Sequence, residues 1–146
     1  MSTKTILLPT DFSETSTGAL PWAMDMANTL DASITCVYVV EEPHIYSTLD
    51  MGTAAIPTTG ELVTSAEARA EQFVHEHLAN APHGHDSKVV VGHAATEIVN
   101  MAKETGAAMI VMSTHGYSGV KHVVMGSTTE DVVRTAPCPV LSIRGS

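Results

Sequence analysis

Ala108-Met109-Ile110-Val111-Met112 runs directly into Ser113-Thr114-His115-Gly116, and after nine intervening residues comes Gly126-Ser127-Thr128. The first five residues are apolar without alternation, the pattern of a strand covered on both faces. The turn after them is built of small residues and a glycine, where backbone N–H groups lie bare. Gly126-Ser127-Thr128 reads as a helix start, which brings about half a positive charge to its first N–H groups. Phosphate suits such a surface.

Thr5-Ile6-Leu7-Leu8 ends at Pro9, and Ser33 to Val40 is a longer β-branched run. Lys88-Val89-Val90-Val91 and Val140-Leu141-Ser142-Ile143 complete a set of five. Segments with helical spacing separate these runs. Ala19, Leu20, Ala23, Met26, Ala27 and Leu30 share one face, as do Leu62, Ala66, Ala70 and Phe73, and then Ile98, Val99 and Ala102. Gly106 suits the end of the third segment. Pro21 removes one N–H early in the first, so that helix is expected to start late or bend there. Strands alternating with helices imply right-handed crossovers and a mostly parallel sheet. The expected fold class is an open α/β sandwich with helices on both faces of the sheet. Between Glu41 and Gly60, where Pro43, Gly52 and Pro57 fall, no firm element is predicted. A loop of that length inside a compact domain is usually a functional flap or disordered.

At 146 residues the chain is expected to form one domain, residues 1–146. Its 16 acids against 7 Lys and Arg give a formal net charge of −9, which repels nucleic-acid phosphates and anionic membrane faces. Neither is an expected partner. No run approaches the roughly 18 apolar residues of a membrane span. Cys36 and Cys138 show no CxxC spacing and no disulfide framework, so a reducing, cytoplasmic compartment is expected. The acids leave one gap, between Glu104 and Glu130, and it holds the glycine turn together with His115, Lys121 and His122.

Ligands of open α/β sheets bind beyond the carboxyl ends of the strands, where strand order reverses. The polar punctuation falls there: Pro9-Thr10-Asp11, Val39-Val40-Glu41, Gly92, and Ser113 to Gly116. An ionised Asp11 accepts the hydrogen bonds that a ribose donates, but it also stands three residues before Glu14, a capping-box spacing. Ser127-Thr128-Thr129-Glu130 has the same form and opens a helix carrying Val132 and Val133. Capping and phosphate binding are compatible, because a helix start leaves about four N–H groups free. Gly116 and Gly126 also suit plain turns.

Ile6-Leu7-Leu8-Pro9-Thr10-Asp11-Phe12-Ser13, then Thr114-His115-Gly116 with Gly126-Ser127, then Pro137-Cys138-Pro139-Val140-Leu141, together resemble the universal stress protein family from end to end. The resemblance implies a Rossmann-like three-layer sandwich of the adenine nucleotide alpha hydrolase-like type. In it, strands one and four of a five-stranded parallel sheet are neighbours, which brings Asp11 against Ser113 to Gly116. It further implies an ATP-binding stress-response module, the ATP coming with or without Mg2+. In the nucleotide-binding branch the signature is glycine, two residues, glycine, nine residues, then Gly-Ser or Gly-Thr. Gly116 and Gly126 stand at its second and third glycines, and Ser113 replaces the first. The resemblance assigns phosphate contacts to Gly116, Gly126, Ser127 and the Thr128 backbone, a ribose contact to Asp11, and an adenine contact to the backbone around Val39. Pro9 and Thr10 shape the same pocket, His115 is within reach of a γ-phosphate, and Gly92 and Ser113 border it at their strand ends. Ser113 keeps its N–H but excludes the glycine-only backbone regions and crowds an approaching ribose or phosphate. The family also has a branch that lacks the glycine signature. It leaves a nucleotide-free dimeric scaffold as the alternative.

The chain contains no GxxxxGK[ST] motif, no lysine inside the glycine turn, and no evident carboxylate pair to hold magnesium. At most slow hydrolysis is expected, and the protein is not expected to be an enzyme. Nor is a metal site expected. His75 and His77 point to different sides of a helix, and His83-Gly84-His85 lies in a predicted loop without a cysteine or carboxylate set. Val140 to Ile143 comes last and, by the resemblance, forms an edge through which two subunits pair, so a homodimer is expected.

Overall fold

The computed structural model describes residues 4–12, 17–41, 58–114 and 126–144. Five apolar runs form strands: β1 (Lys4–Pro9), β2 (Ala32–Val40), β3 (His85–Val91), β4 (Met109–Ser113) and β5 (Val140–Ile143). The helices described between them are α1 (Leu20–Leu30), α2 (Thr59–His77), α3 (Ala94–Thr105) and α4 (Ser127–Thr135). Strand order is β3-β2-β1-β4-β5, and every neighbouring pair is parallel.

That order explains where the helices lie. From β1 the chain steps outward to β2 and β3, then returns across the sheet to β4 and β5. With crossovers of one hand, reversing the direction of travel moves the connecting helix to the opposite face. Ile6, Leu8, Ile34, Cys36 and Val111 accordingly pack with Ala23 and Ala27 of α1 and Phe73 and Val74 of α2. Their alternating neighbours Leu7, Val37, Val39, Ile110 and Met112 pack with Ala95, Ile98 and Ala102 of α3 and Val132 of α4. The sheet is covered on both faces, which is why its central strands lack apolar–polar alternation.

Local chemistry sets the ends of the helices. Pro21 occupies the second position of α1, inside the first turn, where its missing N–H removes no helical bond. Asp31 closes α1 in the left-handed region at φ 54°, and Gly106 closes α3 at φ 60°, as its sequence position predicts. Thr58 caps α2 by accepting from Glu61 N at 3.1 Å, and the Glu61 carboxylate accepts from Thr58 N at 3.3 Å. β3 starts at His85, earlier than its apolar run, so His85 belongs to a strand and not to the predicted loop. No described helix is long and apolar enough to cross a membrane.

Candidate functional site

The chain leaves β1 toward β2 and leaves β4 toward β5, so β1 and β4 flank the point where strand order reverses. The ladders show how a crevice opens there. Six residue pairs join β1 to β2, ending at Pro9 and Val37, whereas β1 and β4 pair only at Ile6 with Met109 and Leu7 with Ile110. Beyond those pairs each strand end follows its outer neighbour. Thr10 N donates to Val37 O at 2.9 Å, and Thr114 N donates to Ile143 O at 3.0 Å.

On the β1 wall, Thr10 is buried, and its Oγ1 accepts from Phe12 N at 2.9 Å. Phe12 takes φ 67°, a strained conformation for a bulky residue. Ring packing holds it there. Its ring stacks on Tyr38 at 4.8 Å, meets Phe73 edge-on at 5.5 Å, and lies 4.8 Å under the Arg69 guanidinium. Asp11, between Thr10 and Phe12, is thereby fixed at the crevice mouth. Neither the cluster nor its function was signalled by spacing, because its members come from three separated segments.

On the β4 wall, α4 is stitched to the strand end. Thr129 Oγ1 donates to Ser113 O at 2.9 Å, and Gly126 N donates to Thr114 O at 2.6 Å. Gly126 is the N-cap of α4, and among the described residues no side chain caps the helix. This corrects the capping box expected at Ser127 and Glu130: Ser127 is already the first helical residue, which puts Glu130 one position too far along. Glu130 instead pairs with Arg134 at 2.8 Å. A glycine cap has no side chain to accept from the first-turn N–H groups, and a helix start of that kind suits an anion.

The structure thus brings Pro9, Thr10 and Asp11 opposite Ser113, Gly126, Ser127 and Thr128. Val39 lies on β2 beyond the last pair with β1, with its side chain buried on the α3 side, so only its backbone is offered to a ligand. Gly92 stands further out, after β3, with β2 between it and β1. Its φ of 151° and the Glu97 side chain packed on it, 2.7 Å from where a Cβ would lie, give it a turning role ahead of α3. His115 and Gly116 lie outside the described residues. Asp11 does not cap α1, whose N-cap is Ala19, and Glu14 is outside the described residues. Sequence reasoning placed Glu41 at the end of β2 but missed its contact: Glu41 Oε1 accepts from Ala94 N at 3.1 Å and ties the end of β2 to the start of α3. Separated by 53 residues, that pair left no local signal.

The chain matches the model of the universal stress protein family over residues 2–144. It is 30% identical over 141 residues to universal stress protein MJ0531 of Methanocaldococcus jannaschii, which covers 97% of this chain and 82% of that protein. The solved structure of MJ0577, from the same organism, shares its fold with a TM-score of 0.82 at 29% identity, over 100% of this chain and 99% of that one. A universal stress protein from Archaeoglobus fulgidus, solved in complex with dAMP, has the same fold at 17% identity with a TM-score of 0.67, over 97% and 98% of the two chains. With its Rossmann-like five-stranded parallel sheet and a match along almost its whole length, the chain belongs to the universal stress protein family.

Proposed function

We propose that this chain is an ATP-binding regulatory module of the stress-response type, carrying its nucleotide across the crevice between β1 and β4. The observation that carries this reading is the start of α4, where a glycine is the N-cap and, among the described residues, no side chain caps the helix, at a topological switch point. The phosphates lie against Gly126 and take the N–H groups of Ser127 and Thr128, and the sugar takes Asp11. Adenine takes the β2 backbone around Val39. Pro9 and Thr10 form the floor, and Gly116 and His115 join the phosphate end. That a relative of this fold is known with dAMP supports an adenine nucleotide as the ligand class.

The site is read as one for binding, with or without Mg2+, and not for turnover. Hydrolysis calls for a positioned water and for groups that neutralise charge developing on the γ-phosphate, and the polar groups of both walls are assigned to holding the ligand. The acidic chain, with its net charge of −9, favours a small-molecule partner in the cytoplasm over nucleic acid or a membrane.

Gly126→Asp tests the assignment. The new carboxylate accepts from the first-turn N–H groups itself and repels phosphate. ATP at a hundredfold excess over its Kd should raise the Tm of the native chain by about 5–10 °C. The variant should keep its circular dichroism spectrum and lose that shift. A native chain that ATP does not stabilise would point to the nucleotide-free scaffold.

A further inference from the structure

The residue standing where the nucleotide-binding signature has its first glycine is the one buried hydroxyl among the described residues that lacks a hydrogen-bond partner. Ser113 is 5% exposed, and its Oγ contacts no donor or acceptor. Neighbouring buried hydroxyls differ: Thr10 Oγ1 accepts from Phe12 N, and Thr129 Oγ1 donates to Ser113 O. A buried hydroxyl without a partner is unfavourable in every state that leaves it so, and a ligand supplying the partner removes the penalty.

The position of Ser113 selects which part of a nucleotide that partner is. Side chains alternate along β4, so Ser113 follows Val111 to the face packed by α1 and α2, the face of Leu8 in β1 and, two residues on, of Thr10 just past its end. The anion seat belongs to α4, which packs on the opposite face through Val132. The adenine position near Val39 lies across β1 from Ser113. What remains on the Ser113 side of the crevice is the mouth where Asp11 stands. We propose that the Ser113 hydroxyl hydrogen-bonds a sugar hydroxyl of the bound nucleotide, facing Asp11 across the crevice, so that the serine selects for an intact ribose. This rests on the nucleotide assignment above. A hydroxyl both donates and accepts, so it complements a carboxylate that only accepts.

The test pairs Ser113→Ala with ATP and 2′,3′-dideoxyATP in titration calorimetry and thermal melts. In the native chain ATP should bind about tenfold or more tightly than the dideoxy analogue. Ser113→Ala should weaken ATP about fivefold to tenfold and leave the analogue unchanged, since the lost hydrogen bond exists only with ATP. Without nucleotide, the same variant should melt about 2–4 °C higher, because it deletes the unsatisfied group. A variant that binds ATP as tightly as the native chain, or more tightly, would overturn the proposal and show that the hydroxyl only crowds the ligand. Equal weakening of both ligands would overturn it too. Those two results leave the nucleotide assignment standing, whereas a native chain that binds neither ligand removes both.

Discussion

Cys36, 1% exposed in the middle of β2, shows how strongly a single residue registers the closed core. Burial pushes its thiol from 9.0 up to about 12, because the thiolate would lie in an apolar interior. Above pH 9 the unfolded chain therefore releases a proton that the folded chain retains. Its contribution is fully present below pH 9 and is lost at roughly 1.4 kcal/mol per pH unit as pH rises toward 12. Thermal melts between pH 8 and 11 should show this decline, and Cys36→Ala should flatten it while lowering stability at pH 8 through the cavity it leaves. An unchanged slope in the variant would refute the assignment. Cys138, partly exposed between its two prolines, should meet thiol reagents well before Cys36. At the same scale, Ser113 and Gly126 divide the proposed site between a sugar contact and an anion seat.

The start of α3 shows what an element requires of one position. Gly92 turns the chain at φ 151°, and a Cβ there would meet the Glu97 side chain at 2.7 Å. Gly92→Ala should lower stability by about 1–3 kcal/mol, read from denaturant unfolding; a neutral variant would mean that the turn relaxes freely. The elements also show what a sequence reveals. β1, β2, β4 and β5 were legible because packing reaches both of their faces, which leaves mainly apolar runs without strict alternation. The first half of β3 was not, since His85 and Asp86 are exposed on an edge strand and look like loop. The Thr58–Glu61 box was present in the sequence at capping spacing and was passed over among the punctuation before it. On α4 the opposite happened: Ser127 and Glu130 had the right spacing, but the bond from Gly126 N to Thr114 O ties the glycine to the strand end and makes it the cap. The site followed the same logic. Residues at strand ends were legible from topology, whereas the Phe12 ring cluster and the unmet hydroxyl of Ser113 depend on packing between distant segments.

At the scale of the molecule, β5 ends the sheet, with Val140, Leu141 and Ile143 half-buried. An apolar edge templates pairing, and a second copy of the chain is the proposed cover. Leu141 and Ile143 also pack into the chain's own core, so the backbone is the cleaner probe. Ile110 N takes Pro139 O and Thr114 N takes Ile143 O, which leaves the Ser142 N–H pointing outward by alternation. Ser142→Pro should therefore keep the β4 ladder and weaken the dimer at least tenfold in light scattering; an unaffected dimer would exclude this edge. The central claim joins the walls of β1 and β4 through one ligand, and a crystal structure with ATP tests it most directly. It should show phosphate oxygens on the N–H groups of Ser127 and Thr128 and the sugar between Asp11 and Ser113. A crevice filled by the protein's own side chains, with the nucleotide elsewhere or absent, would contradict it.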